Sequence, residues 1–173
     1  MALSEVAARI ANATVDGMRS AAASLVVLLL CCAQTEESDA ARACIADYPS
    51  AQPFDVGDVE VASPPPGSSL PEPAPPSAAD IASECARSGG TGCDAAAFIS
   101  RDAASCIATS SGFAPGLERW RIALAYGHGQ ERVVWNVMNK TADDGVNGYV
   151  GQVLAIDATD GGLYDLIPYR ATP

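Results

Sequence analysis

Two segments in the second half of the chain have the pattern of short helices. Residues 80–87 (DIASECAR) and 101–110 (RDAASCIATS) are rich in helix-forming residues, and Asp80 and Ser100 can each cap a helix N-terminus. In the second segment apolar residues recur three and four positions apart, which predicts one face that packs on a sheet. A weaker helical pattern covers residues 39–48.

Beyond the second helix the hydrophobic period changes to two, which is typical of strands with one buried face. Residues 117–126, 132–137 and 149–156 predict three strands, and residues 163–169 can add a fourth. A polar loop over residues 140–148 separates the second strand from the third. The pattern predicts an α+β fold in which one helix packs on a three- to four-stranded antiparallel meander.

The alternation also assigns side chains to the buried face. In the second strand Val133, Trp135 and Val137 share one face, whereas Val134 and Asn136 take the other. Large aromatic residues contribute mainly by burying area, so both tryptophans are assigned to the core. The predicted core consists of Ile107, Trp120, Ile122, Leu124, Trp135 and Val137.

The N-terminal segment has the pattern of an export signal. Arg19 precedes an apolar run over residues 20–33, and polar and acidic residues follow at once. The run is in the range of a secretory signal and is shorter than the roughly 20 residues of a membrane-spanning helix. We predict a signal region over residues 1–33, with translation beginning at Met18, and export to the periplasm, the outer envelope or the exterior.

Cys31 and Cys32 end this run, where a lipoprotein signal places its lipid-modified cysteine. Such sites have a small residue before the cysteine, and here that position is Leu30 or Cys31. Lipid attachment, plain cleavage and a retained anchor therefore remain alternatives. A lipid on Cys31 or Cys32 is the membrane attachment that the sequence predicts.

Residues 34–79 have the composition of an acidic, Pro-rich linker. Nine prolines lie between Pro49 and Pro76, and proline fixes φ and lacks an amide donor, so the stretch predicts an extended, largely disordered tether. Most of the formal charge of −11 belongs to residues 34–94, which hold eleven acidic and two basic residues. The folded domain is accordingly predicted over residues 80–173.

Four cysteines lie beyond the signal region, at positions 44, 85, 93 and 106. An oxidising compartment would pair them, and four cysteines permit three connectivities. A bridge between Cys85 and Cys93 would close a short Gly-rich loop. Either of these two cysteines could equally reach Cys106, and Cys44 would then pair with the other one. The chain lacks CxxC spacing and has one histidine, so neither a metal site nor another cofactor is predicted.

Residues that could carry catalysis are sparse. His128 lies between glycines in a predicted turn with no nucleophile motif beside it, so no catalytic residue is predicted. Two Gly-containing loops carry polar side chains without the DxDxDG calcium pattern, and these are predicted to form turns by bonding their own backbone. They are Asp143, Asp144, Asn147, Asp157 and Asp160.

Arg119, Arg121 and Arg132 are predicted on the solvent-exposed face of the sheet, opposite the tryptophans. They are interspersed with Glu118 and Glu131 and are too few to bind nucleic acid, which needs clustered bases to neutralise phosphates. This face and the adjoining sheet edge form the candidate binding surface, and an extended peptide added to the edge is the predicted mode.

The order of these elements resembles the PepSY-like domains of secreted bacterial proteins. The resemblance rests on Phe98-Ile99-Ser100, Trp120, VVWNV at 133–137 and VLAIDATDG at 153–161, and it covers about residues 98–165. Cys106 and the long loop after Lys140 depart from the family pattern.

This resemblance implies a non-catalytic module of the cell exterior that is linked to the restraint of peptidases. We therefore expect an exported interaction or regulatory module whose partner is a peptidase or an extended peptide. A disulfide-stabilised structural protein of the cell envelope is the alternative, and a hydrolase is third. The sequence specifies no oligomeric state.

Overall fold

The computed structural model describes residues 39–61, 74–143 and 148–171. Helix α1 covers residues 39–47. The elements that follow are α2 (Ala78–Arg87), a 3-10 turn (Ala95–Ala97), α3 (Arg101–Ser110), β1 (Arg121–Gly127), β2 (Arg132–Asp143), β3 (Tyr149–Asp157) and β4 (Leu163–Ala171). The strands form one antiparallel sheet in the order β1-β2-β3-β4. The predicted α+β meander is confirmed, and helices form at both predicted segments and at the weaker helical pattern over residues 39–48.

The two longer helices begin at side-chain caps. The Ser77 hydroxyl accepts a hydrogen bond from the backbone N–H of Asp80, whose carboxylate accepts from the N–H of Ser77. This capping box starts α2 three residues before the predicted cap at Asp80. The bonds from Ser77 hold the pKa of Asp80 below its ordinary value. Ser100 caps α3 as predicted, by accepting from the N–H of Ala103.

One face of the sheet carries the core. Five predicted core residues are at most 6% exposed, namely Ile107, Ile122, Leu124, Trp135 and Val137. The Trp135 indole donates to the carbonyl of Ile99 at 3.0 Å, so its one polar atom is bonded inside the core. The prediction that Trp120 is a buried core residue of a strand is wrong. Trp120 precedes β1, is half-buried, and packs at the margin of the core on Phe113 with ring centroids 5.3 Å apart.

Two disulfides cross-link the fold. Cys85 pairs with Cys93, which confirms the short-loop alternative, and Cys44 pairs with Cys106 over a separation of 62 residues. The second bond ties α1 to α3, whose sheet-facing residues are alanines and Ile107 rather than Cys106. Two such bonds indicate an oxidising environment.

Residues 39–61 belong to the folded unit, so the predicted linker over residues 34–79 is wrong for this part. Cys44 is 3% exposed, and the ring of Phe54 stacks on Trp135 with centroids 6.0 Å apart. A disulfide and contacts with distant residues hold this segment, and neither leaves a periodic pattern in the sequence. The signal region, Cys31, Cys32 and residues 62–73 of the tether lie outside the described residues.

Strand β2 continues into the predicted loop. It extends to Asp143 with a register shift between Lys140 and Ala142, where the loop was predicted to begin at residue 140. The Lys140 side chain is 20% exposed, and its ammonium donates to Glu118 at 3.0 Å. Among the helices in the described ranges, none is both long and apolar enough to cross a membrane.

Candidate functional site

A segment of the chain itself pairs with the outer edge of β1. Gly57 forms an antiparallel bridge with Ala123. The N–H of Asp58 donates to the carbonyl of Ile122 at 2.8 Å, and the N–H of Leu124 donates to the carbonyl of Val56 at 3.0 Å. We call residues 54–60 (FDVGDVE) the strap. It occupies the β1 edge as an added strand would.

The close approach of the strap to β1 depends on Gly57. Its φ is +84°, in the region that favours glycine, and a Cβ at this position would lie 1.9 Å from the Ile122 carbonyl oxygen. Both the backbone conformation and the available space therefore exclude a side chain. One residue sets whether the strap can dock.

Arg101, at the first position of α3, holds the strap from the helix side. Its guanidinium donates to Asp55 at 3.2 Å and to Asp58, and its side chain is 21% exposed. Burial raises the pKa of Asp58, but the hydrogen bond from the Ile122 N–H and the charge of Arg101 outweigh burial and hold this pKa below its ordinary value. Asp58 therefore stays ionised where it bonds both the helix and the sheet edge.

Two of the predicted binding-face arginines also face acids of the strap. Arg119 lies 3.8 Å from Asp58, and Arg121 lies 3.7 Å from Glu60. Their side chains are 82% and 45% exposed, so these contacts are solvent-exposed ion pairs that contribute little stability. With Arg101 they form what we call the arginine row. The row faces an extended acidic segment along a strand edge.

The third predicted arginine lies elsewhere. Arg132, at the start of β2, donates to the Oδ2 of Asp157 at 2.6 Å, and this hydrogen bond raises the pKa of its guanidinium. The predicted face is therefore divided: Arg119 and Arg121 belong to the strap site, and Arg132 belongs to a hydrogen-bond network around Asp157. The period-two pattern predicted that all three arginines lie on the same face of the sheet. That pattern gives the face of a residue but not its position along the strand, so it could not show that Arg132 lies far from the strap.

That network is centred on Asp157, which is 2% exposed. Its carboxylate accepts from the N–H of Thr159 at 2.8 Å, from the Thr159 hydroxyl and from the Tyr164 hydroxyl at 2.9 Å. Burial raises the pKa of Asp157, but the bonds from Thr159, Arg132 and Tyr164 outweigh it and hold the pKa at about 2. The prediction that Asp157 forms its own turn is confirmed.

The remaining loop residues do not form a site. Asp160 accepts from the N–H of Gly162 at 2.9 Å, as a turn former should, and Asp143 lies beside Lys140, while Asp144 and Asn147 lie outside the described residues. His128 is exposed in the β1–β2 turn. Within the described ranges, no three His, Cys, Asp or Glu side chains group as metal ligands would.

A solvent-open cleft of about 470 Å³ adjoins the strap. It lies between the first turns of α3 and the segment that leads into β1. Trp120 is half-buried at this cleft, and its indole donates to the carbonyl of Ala114 at 3.2 Å, which fixes the ring. The cleft has both charged and apolar walls, formed by Asp55, Arg101, Asp102, Ser105, Pro115, Gly116, Glu118, Arg119, Trp120 and Ile122.

The opposite edge of the sheet, along β4, has different chemistry. The N–H of Gln152 donates to the Asn139 side chain, so the backbone of Gln152 is directed towards β2. Pro168 lies opposite Gln152 in the register, and its amide position is accordingly directed to the free edge. Proline has no N–H to offer there, which is a common protection against strand addition.

Sequence reasoning missed Arg101 and the strap. Arg101 was assigned only to the start of a helix, and residues 54–60 were assigned to the linker. A signal was present: Asp55, Asp58 and Glu60 surround Gly57 in a segment that also carries one aromatic residue and two valines. Alternating acids and apolar residues can form an edge strand, but the pattern is too short to be distinguished from a linker.

Comparison with protein-family models finds no match to this chain, and the comparisons with curated proteins and with solved structures find none either.

Proposed function

We propose that this protein is an exported, non-catalytic interaction module that binds an extended peptide along the β1 edge. The observation that carries the proposal is that this edge already holds an extended segment, with backbone hydrogen bonds to Ile122 and Leu124 and with arginines beside its acids. Backbone pairing supplies affinity in such sites, and side-chain contacts supply specificity.

The nature of the partner follows from the environment in which the module works. The disulfides indicate an oxidising environment, so the peptide belongs to another exported protein. The resemblance to PepSY-like domains makes an extracellular peptidase, or the propeptide that restrains one, the first class to test. The cleft beside Trp120 would receive a side chain of the bound peptide.

Selection from a displayed library of 12-residue peptides tests this proposal. The bait is the exported full chain with both disulfides intact, and binding is followed by Trp fluorescence, because Trp120 lies at the cleft and Trp135 is buried. Arg119→Ala with Arg121→Ala should weaken a selected peptide about tenfold, since each exposed ion pair contributes up to about 1 kcal/mol. Arg170→Ala on β4 is the matched control and should change nothing.

The alternative function is that of a structural protein of the cell envelope. The long-range disulfide between Cys44 and Cys106 is the observation that favours it. A library that yields no peptide whose binding depends on Arg119 and Arg121 would contradict the interaction module and leave the structural protein.

We also propose export with removal of the N-terminal region, as the apolar run ahead of Cys31 and Cys32 predicts. N-terminal sequencing of the secreted or periplasmic protein should find a start near Thr35, or a blocked start at a lipid-modified Cys31 or Cys32. Labelling with a radioactive fatty acid separates the two, because label should disappear only when both cysteines are replaced by serine. An intact Met1 or Met18 on cytoplasmic protein would contradict export.

A further inference from the structure

We propose that the strap is a built-in competitor for the peptide site, and that the partner is an extended acidic segment led by an aromatic residue. This inference rests on the proposed function, because it takes the β1 edge as the site of binding. It adds the chemistry of the partner and the event that admits it.

The chemistry follows from what the edge holds now. Phe54 contacts two aromatic residues of the core, with its centroid 6.0 Å from Trp135 and 6.4 Å from Phe98. A peptide that takes the place of the strap has to cover the same rings, so it needs an aromatic residue at its first position. An aromatic anchor is the residue type that most often dominates such contacts.

The next positions are set by the arginine row. Each of the three acids of the strap lies within 4.0 Å of Arg101, Arg119 or Arg121. A basic peptide would leave these guanidinium groups facing like charge, and a neutral one would leave Arg101, which is 21% exposed, without carboxylate partners. The row therefore selects acids two and three positions apart, as they are in the strap.

The middle of the peptide is selected by space. The edge approaches the backbone at Gly57 closely enough that a Cβ would overlap the Ile122 carbonyl oxygen. A partner that follows the same path needs glycine between its two acids. The preferred sequence is thus an aromatic residue, an acid, an apolar residue, glycine and a second acid, as in residues 54–58.

The strap is suited to local release. It contributes few buried residues: Phe54, Val56 and Asp58 are half-buried, whereas Asp55 and Glu60 are exposed. Asp55 and Glu60 are 62% and 84% exposed in their ion pairs, and pairs with such an exposed partner contribute little stability each. Segments of this kind open locally without unfolding the domain. Because the strap is tethered, it competes at a high effective concentration and lowers the apparent affinity of any partner.

The test uses a fluorescein-labelled peptide with the sequence of residues 52–61 (QPFDVGDVEV), added to the full chain. In Gly57→Val the strap cannot dock, so the peptide should bind at least tenfold more tightly to this variant than to the wild type. Gly129→Val is the matched control, since a side chain added there meets no atom within 4 Å, and it should bind as the wild type does.

Variant peptides test the chemistry of the partner on the same Gly57→Val protein. Replacing the phenylalanine by alanine, the glycine by valine, or the acids by asparagine and glutamine should each weaken binding at least tenfold. Equal binding to the wild type and to Gly57→Val would overturn the competitor. Absence of binding to a folded Gly57→Val, or equal binding of a peptide with lysines in place of its acids, would overturn the partner chemistry.

Amide hydrogen exchange on the wild type covers the case in which Gly57→Val does not fold. The amides of Asp58 and Leu124, which bond across the strap, should exchange at least tenfold faster than the amide of Val137 in the sheet centre. Equal rates for all three would mean that the strap opens only with global unfolding, and the competitor would be overturned.

The failure of this inference can be separated from the failure of the proposed function. Library peptides that depend on Arg119 and Arg121 but differ from the strap in composition, and are not displaced by the strap peptide, would keep the function and remove the inference. If the strap peptide binds Gly57→Val but the library yields no foreign peptide, the competitor role of the strap would stand and the proposed binding of a foreign partner would be contradicted.

Discussion

The two edges of the sheet are closed to other chains in different ways. At the β1 edge, the backbone groups of Ile122 and Leu124 are paired by the strap, a segment that noncovalent contacts hold in place. At the β4 edge, the register directs the amide position of Pro168 outward, where the residue has no donor. The first closure consists of noncovalent contacts, and the second is fixed by the covalent structure of one residue.

The side chains at the two edges differ in the same sense. The β1 edge lies beside the arginine row and the acids of the strap, whereas β4 exposes Leu166 and Ile167 at 48% and 47%. Exposed apolar side chains on a strand edge favour unspecific association, and we expect Pro168 to limit it. The β1 edge is thus charged and covered by the strap, whereas the β4 edge is apolar and carries a proline.

The largest expected effect concerns the shared support of the β1 edge. Trp135 is 0% exposed and lies beneath Phe54 of the strap, so Trp135→Ala should lower the free energy of unfolding by about 3 to 5 kcal/mol. The urea midpoint measures the loss. His128→Ala in the exposed turn is the control and should stay within about 0.5 kcal/mol of the wild type. An unchanged urea midpoint for Trp135→Ala would mean that Trp135 does not lie on the buried face of the sheet.

The second effect compares the two disulfides. Replacing Cys44 and Cys106 by serine releases α1, which precedes the strap, and frees a loop of 62 residues in the unfolded chain. The chain-entropy relation gives about 4 kcal/mol for this loop and about 2.5 kcal/mol for the 8-residue separation of Cys85 and Cys93. Thermal unfolding of the two double variants measures the difference. A larger loss from the short loop would contradict the role of the long one.

The third effect concerns the β3–β4 turn, which positions the β4 edge. The pKa of Asp157 is about 2 in the folded state, below its ordinary value of 3.8, so its ionisation contributes stability above about pH 4 that is lost as the pH falls through 2. The difference corresponds to about 2 kcal/mol. Urea midpoints of the wild type and Asp157→Asn should therefore converge as the pH is lowered from 5 to 2. If the urea midpoints of the two proteins fall in parallel with pH, a group other than Asp157 is responsible for the loss of stability.

The smallest effect on stability is expected at the guarded edge itself. Pro168→Thr restores an outward amide on β4, and the change in unfolding free energy should stay within about 0.5 kcal/mol because the position is exposed. Self-association should increase, as measured by sedimentation velocity at several concentrations. Adding Leu166→Asp to this variant should reverse the association. Unchanged sedimentation of Pro168→Thr would mean that the proline is not what protects the edge.

Much of the fold could be predicted because it depends on the local pattern of apolar and polar residues. The period-two alternation located the four strands and assigned Ile122, Leu124 and Trp135 to the buried face, and a serine cap located the start of α3. Trp120 failed the same reasoning because β1 begins at Arg121 and not at residue 117 as predicted, and alternation carries no information about where a strand begins. The binding face was divided for a related reason, since Arg132 lies at the end of β2 nearest Asp157.

The sequence by itself determined the α+β class, the strand order of the meander, the faces of the strands and the availability of four cysteines for pairing. Only the tertiary structure decided which cysteines pair, that residues 39–61 fold with the domain, and that the strap lies on the β1 edge beside the arginine row. The reason is physical. Local periodicity reports the environment that one element needs, whereas contacts such as Asp58 with Ile122 join residues 64 positions apart and leave no periodic trace in either segment.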